Sequence, residues 1–385
     1  MRIRVISVVT AGVLGLTAAC SAEREGDGEP EPFPATLATV SPSPSAQPAE
    51  LVPGRTWPSR PAGNFRALDD LATATASTCT VVVHRGRVIH TGGAGLDGSR
   101  QVYSITKSVV GLLVAIAAGE RRLGLDDRVS RWVTEWRGTA SEDVTVRQVM
   151  ANTSGRRWTY ALDYGQMIRS APDKTRFATG LDQQHEPGTH WEYNNSAIQV
   201  LERVLRQATG QDVVAYARAR LFEPLGMTST AWARDHAGHP TTYSGITSTC
   251  GDVARLGLLV ARDGRWGRTQ VVPRRLLSQL VGASSQQRNA AYGLLWWVNR
   301  PGRVVEVQRA AGFATDRPPY SGRLAPRAPT DTAWALGYGN QFLTVVPSRD
   351  LVAVRLGPRP AGPDQLTFAS FTDAVLAGSG GARRR

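Results

Sequence analysis

The sequence predicts an α+β fold in which strands from both ends of the chain share one antiparallel sheet and helices fill the middle. Three observations carry this. Short runs rich in β-branched residues stand near the front, at 79–84 and 87–91, and again near the end, at 341–346 and 351–356. The segments with helical spacing lie mostly between them. The 385 residues, 41% hydrophobic and 20% charged, are ample for a buried core.

Taken in order, 79–84 and 87–91 read as a hairpin closed by Arg85-Gly86. A glycine-bearing stretch to Gly98 leads to Val102-Tyr103-Ser104-Ile105-Thr106-Lys107-Ser108, which opens an apolar helix to Ala118. A loop and short helix follow at 121–132. A helix at 144–150 stops at Asn152-Thr153-Ser154-Gly155, one at 196–209 ends at Gly210, and another spans 213–221. A further helix begins near Asp252. The chain then returns to strands at 292–298, 341–346 and 351–356, and a last helix covers 365–376. No internal repeat is visible.

Ahead of this domain, Arg2 and Arg4 precede an apolar run from Val5 to Leu16, and small residues lead to Cys20. A charged start, a short apolar run and a small-residue site read as an export signal within residues 1–22, too short to span a bilayer. Residues 23–64 are acidic, then rich in Pro and Ser, and read as a semi-extended tether. Residues 65–378 form the folded domain, and 379–385 a basic, disordered tail. After Cys20 only Cys79 and Cys250 remain. In an exported chain two cysteines can pair, and two buried small residues are the alternative. The net charge of +13 invites a nucleic-acid partner. The arginines are scattered, however, and no nucleic-acid motif accompanies them, so nucleic acid is not expected as a partner.

The chemistry centres on Ser104 and Lys107. Three residues apart at a helix start, they face the same side. A serine hydroxyl needs an adjacent base, and an amine that loses its proton through burial can be that base. Composition sharpens the reading, because only Lys107 and Lys174 among the 45 basic residues are lysines. Arginine could not serve, since it stays protonated. Two further stretches matter. Tyr193-Asn194-Asn195 sits in a loop before a helix, where a phenol could exchange a proton with Ser104 and Asn195 could hold an amine or a substrate amide. Trp334 to Gln341 places glycines just before a strand, where backbone N–H groups can meet an oxyanion. Each of these last two, standing alone, is better explained by packing or a bulge.

The order and spacing of the three stretches resemble the serine β-lactamase-related hydrolases, a family that includes class C β-lactamases, D-alanyl-D-alanine carboxypeptidases, esterases of the same fold and 6-aminohexanoate-dimer hydrolase. The resemblance runs from about Thr80 to Leu376. It includes Val149-Met-Ala-Asn-Thr-Ser-Gly155, Glu186-Pro-Gly-Thr-His-Trp-Glu-Tyr193, Phe222-Glu-Pro-Leu-Gly-Met227, Tyr292-Gly-Leu-Leu-Trp-Trp297 and Gly337-Tyr-Gly-Asn-Gln341. Cys20 is similar to the lipidated cysteine of bacterial lipoproteins, though Thr17 stands where that signal prefers Leu.

The resemblance implies a β-lactamase/transpeptidase-like fold, an antiparallel sheet flanked by helices plus a mainly helical subdomain. It implies an acyl-enzyme on Ser104, with Lys107 as base or as the partner that activates Tyr193. Tyr193 would protonate the leaving group, and Asn195 would orient Lys107 and substrate. The third box, with Gly337 and the N–H groups of Ser104 and Tyr338, would hold the oxyanion. No metal or cofactor is implied. The expected partners are a small ester or amide and the outer face of a membrane through Cys20, with no obligate protein partner. One departure bears on substrate. Members that recognise penicillins carry a cation in the third box, where this chain has Ala335-Leu336-Gly337. That ranks an esterase or amidase ahead of a β-lactamase or carboxypeptidase, since a carboxylate needs a counter-charge. Trp158, Trp191, Trp296, Trp297, Trp334 and Tyr338 are candidates to line an apolar pocket, with packing as the alternative. A catalytically silent envelope-binding module is the rival from another class.

Overall fold

The fold is seen in a computed structural model that describes residues 56–282, 287–306, 318–362 and 365–380. The export signal, Cys20, most of the tether and residues 381–385 lie outside the described residues. Helix α1 (Arg66–Ala74) leads into strands β1 (Cys79–His84), β2 (Arg87–Gly93) and β3 (Ser99–Gln101), then α2 (Ile105–Gly119). Helices α3 (Val146–Met150), α4 (Lys174–Thr179), α5 (Asn195–Thr209), α6 (Val213–Ala217) and α7 (Glu223–Leu225) follow, with a π-helix at Ala161–Ile168. Next come β4 (Ala231–Trp232), β5 (Ile246–Thr249), α8 (Cys250–Ala261), β6 (Arg265–Trp266), β7 (Thr269–Gln270) and α9 (Arg274–Val281). The chain closes with β8 (Trp297–Val298), β9 (Gly302–Val304), β10 (Tyr320–Gly322), β11 (Ala333–Gly337), β12 (Gln341–Val346), β13 (Leu351–Leu356) and the C-terminal helix Phe368–Ser379.

Strands from the two ends do share one sheet. Its order is β2-β1-β13-β12-β11-β8, and every neighbouring pair is antiparallel. Alternation along the strands assigns its two faces. Val81, Val83, Leu343, Val345, Val352 and Val354 join the core with α2 and α8. Their neighbours Val82, Phe342, Val346, Leu351 and Ala353 join a second core with Leu68 of α1 and Phe371 of the C-terminal helix. A sheet covered on both faces is written as nearly continuous apolar runs, as β1, β12 and β13 are. A disulfide joins Cys79 at the start of β1 to Cys250 at the start of α8, so the pairing alternative is the one realised. Among the described residues, no helix is long and apolar enough to cross a membrane.

Four expectations need correction. Residues 334–337 are a paired strand, not a glycine-rich approach to one, because Ala333 to Leu336 are apolar and buried on both sides. Only Trp297–Val298 of the expected strand 292–298 pairs as a strand, since Leu295 takes a left-handed φ of 62° just before it. The folded domain starts before residue 65: the N–H groups of Arg60 and Ala62 donate to Val88 and Ile89, and Val88 donates to Pro58. The last helix runs on through Ser379.

Candidate active site

The site forms where α2 begins. Tyr103 takes a left-handed φ of 48°, an uncommon state for an aromatic residue, and turns the chain sharply into Ser104 at the helix N-cap. One turn on, Lys107 is fully buried, as the apolar run around it dictates. Its Nζ lies 2.7 Å from Ser104 Oγ and donates to the Tyr243 carbonyl at 2.8 Å. Burial lowers the Lys107 pKa to about 7, against an opposing pull from the Asp163 anion. The amine is therefore largely free at mildly alkaline pH.

Tyr193 is buried and hydrogen-bonded to Ser104, with Lys107 Nζ 4.9 Å from its ring centroid. Burial pushes its phenol well above the usual tyrosine range despite that hydrogen bond. Its ring is clamped by Tyr292 and Trp297, at 6.3 and 6.0 Å between centroids. Asn195 opens α5 and donates to Asp163 at 2.8 Å, while the amine of Lys107 is bonded to Ser104 and Tyr243. Gly337 ends β11 against the segment leading to Ser104, since an added Cβ would lie 2.2 Å from the Val102 carbonyl oxygen. Tyr338 follows, half exposed, edge-on to Tyr103 at 5.5 Å. Among the described residues, none accepts a hydrogen bond from the Ser104 N–H at the helix start.

The structure thus brings Ser104, Lys107 and Tyr193 into one hydrogen-bonded group. Most of the expected aromatic lining is core instead. Trp296 and Trp334 are 1% and 0% exposed, and Trp191 and Trp297 pack in the cluster that clamps Tyr193. Among the described residues, the Phe, Trp and Tyr side chains most open to solvent are Tyr160, stacked on Tyr164, and Tyr338, against Tyr103, while Trp158 is half-buried with its Nε1 donating to Asp163. Asp163 and the Tyr243 carbonyl were missed by sequence reasoning. A backbone carbonyl leaves no sequence signal, and Asp163 stands in a stretch without helical or strand period. For a metal, Asp173, Asp235 and His239 have ligand-type atoms within 4.8 Å of one another, but the two carboxylates already accept the N–H groups of Arg176, Lys174, Ala237 and His239.

The family model for β-lactamase matches residues 31–369. The chain belongs to the β-lactamase family. An uncharacterised protein of Alkalihalophilus pseudofirmus is 22% identical over 297 residues, covering 73% of this chain and 81% of that protein. A structure named as a 6-aminohexanoate-dimer hydrolase from Bacillus anthracis superposes with a TM-score of 0.66 at 16% identity, over 84% of this chain and 86% of that one. EstCE1, a hydrolase with promiscuous acyltransferase activity, superposes at 0.61 with 17% identity, over 81% of this chain and 97% of its own. At these identities the superpositions establish a shared β-lactamase/transpeptidase-like fold. Members of the β-lactamase family are serine hydrolases.

Proposed function

We propose that this chain is an exported serine hydrolase that cleaves an ester or amide through an acyl-enzyme on Ser104. The observation that carries this is the 2.7 Å contact between the buried Lys107 Nζ and Ser104 Oγ. With one N–H of Lys107 spent on the Tyr243 carbonyl, the free amine can turn its lone pair to the serine O–H. Ser104 Oγ then bonds to the substrate carbonyl carbon as its proton passes to Lys107. The N–H groups of Ser104 and Tyr338 are the assigned donors to the oxyanion. Tyr193, protonated because burial raises its phenol, gives a proton to the leaving oxygen or nitrogen, and Lys107 resupplies it. Water repeats the sequence on the acyl carbon, releasing the acid and restoring Ser104. Export, with lipidation of Cys20 holding the domain at a membrane, is part of the same proposal.

A second reading, carboxypeptidase or β-lactamase activity, is favoured by one observation. Arg359 donates to the Tyr338 hydroxyl at 3.2 Å and supplies a cation at the end of β11 that Ala335 lacks. The test is intact mass after incubation with a fluorophosphonate, with Ser104→Ala alongside, followed by rates on a short p-nitrophenyl ester and on nitrocefin. A single adduct lost in the variant and faster ester cleavage are expected. Preference for nitrocefin would establish the second reading. No adduct, with both substrates untouched, would leave a binding module of the same fold.

A further inference from the structure

Lys174 is the second of the two lysines, and the proposed reaction gives it no task. It opens α4, and its ammonium donates to the carbonyls of Met167 at 2.8 Å, Ile168 at 3.1 Å and Ala171 at 3.0 Å. Met167 and Ile168 close the π-helix Ala161–Ile168, where carbonyls have no further helical N–H to meet. Three bonds converging on one tetrahedral nitrogen use every proton the ammonium has. A planar guanidinium cannot gather three such carbonyls at one atom.

The helix closed in this way carries Asp163, which is 0% exposed. Its carboxylate accepts from Asn195 N at 3.0 Å, Asn195 Nδ2 at 2.8 Å, Ser196 N at 2.8 Å, Ser196 Oγ at 2.6 Å and Trp158 Nε1 at 3.1 Å. The anion therefore caps the first turn of α5, the end of a helix that favours negative charge. Tyr193 lies two residues before Asn195, so whatever fixes that turn also fixes the phenol. Desolvation is the main cause of the shifted pKa values of Lys107, Tyr164, Tyr193, Tyr243 and Glu192, and the Asp163 charge acts on each of them in the upward direction.

We propose that Asp163 is the positioning residue of this site and that Lys174 holds it there: the ammonium locks the end of the π-helix, and the carboxylate locks Asn195 and the start of α5 against the Ser104–Lys107 pair. This rests on the hydrolase reading. It also accounts for the balance at Lys107. The amine is faced by Ser104 from its own helix, by Tyr193 and Tyr243 from the flanking segments and by Asp163 from the π-helix. Of these only Asp163 brings a formal charge, and it opposes the desolvation that would strip the proton for good.

The experiment is the rate of fluorophosphonate labelling of Ser104 across about pH 5 to 9 in the full-length chain, for wild type, D163N, K174M and K174R, with thermal melts. In D163N the loss of the anion moves the acid limb to lower pH. Misplacement of Tyr193, whose phenol is hydrogen-bonded to Ser104, lets the serine drift from Lys107 and lowers the plateau by about 100-fold even though fluoride leaves without a proton. K174M lowers the plateau by about tenfold without moving the limb far, and K174R fails to restore it. A role in folding alone would lower the plateau and leave the limb in place, so an unmoved limb in folded D163N overturns the inference. Should D163N not fold, folded K174M or K174R labelling at the wild-type rate overturns it. Wild type that neither labels nor cleaves the p-nitrophenyl ester or nitrocefin removes the hydrolase reading, and this inference with it.

Discussion

Gly337 approaches Val102 so closely that a Cβ on it would stand 2.2 Å from the Val102 carbonyl oxygen. The obstacle is backbone and cannot rotate away. The third box therefore needs glycine because β11 lies directly against the segment that delivers Ser104. Gly337→Ala should push the two apart, destabilising the fold by about 1–3 kcal/mol and cutting ester turnover at least about tenfold. Thermal melts and initial rates read the two effects. A variant that matches wild type in both would show that the strand end has room to spare.

Lys107 gives a pH signature. Because its folded-state pKa is about 7, the free amine accumulates as pH rises through that value, and turnover should rise with it. Lys107→Arg keeps the charge but stays protonated, so it should be inactive at every pH tested. Stability should move in the same direction. Between about 7 and the ordinary 10.5, the unfolded chain holds a proton that the folded chain has released, so folding gains as pH rises. Below that window both forms are protonated and the full cost of burying an ammonium remains. Lys107→Met, which carries no charge, should therefore melt above wild type at about pH 6, with the gap closing toward about pH 10. Differential scanning at several pH values measures this, and a constant gap would contradict the buried-amine assignment.

These two sites also mark what the sequence could tell. Ser104 and Lys107 are local, three apart on one helix, so their contact follows from helix geometry. The shared sheet was legible because β1, β12 and β13 are short, nearly continuous apolar runs rich in β-branched residues, placed at the two ends of the domain. Asp163 was not legible. Its partners Asn195 and Ser196 lie 32 and 33 residues further on, and a π-helix has no apolar period to announce it. Tryptophans misled for the opposite reason. A large apolar ring suits a pocket or a core equally well, and here Trp191, Trp296, Trp297 and Trp334 fill the core.

The Cys79–Cys250 disulfide closes a separation of 171 residues between the sheet and α8. Its loss should destabilise the domain by about 2–5 kcal/mol, since the unfolded chain regains the entropy of that loop. Melting with and without reductant, and in Cys79→Ala/Cys250→Ala, should show matching drops in Tm. Turnover at room temperature should persist, because neither cysteine contacts Ser104, Lys107 or Tyr193.

Tyr193 offers the sharpest division of labour with Lys107. Its hydroxyl is bonded to Ser104, while its ring is clamped between Tyr292 and Trp297. Tyr193→Phe removes the hydroxyl and keeps the clamp, so the fold should be preserved. If the phenol serves the leaving group, turnover should fall by about 100-fold or more with KM little changed. The loss should depend on the leaving group, because a p-nitrophenolate departs without a proton and an alkyl amine does not. Amide cleavage should therefore suffer far more than cleavage of the activated ester. Equal losses on both substrates would assign Tyr193 to the activation of Ser104 instead, since that step precedes the departure of either group.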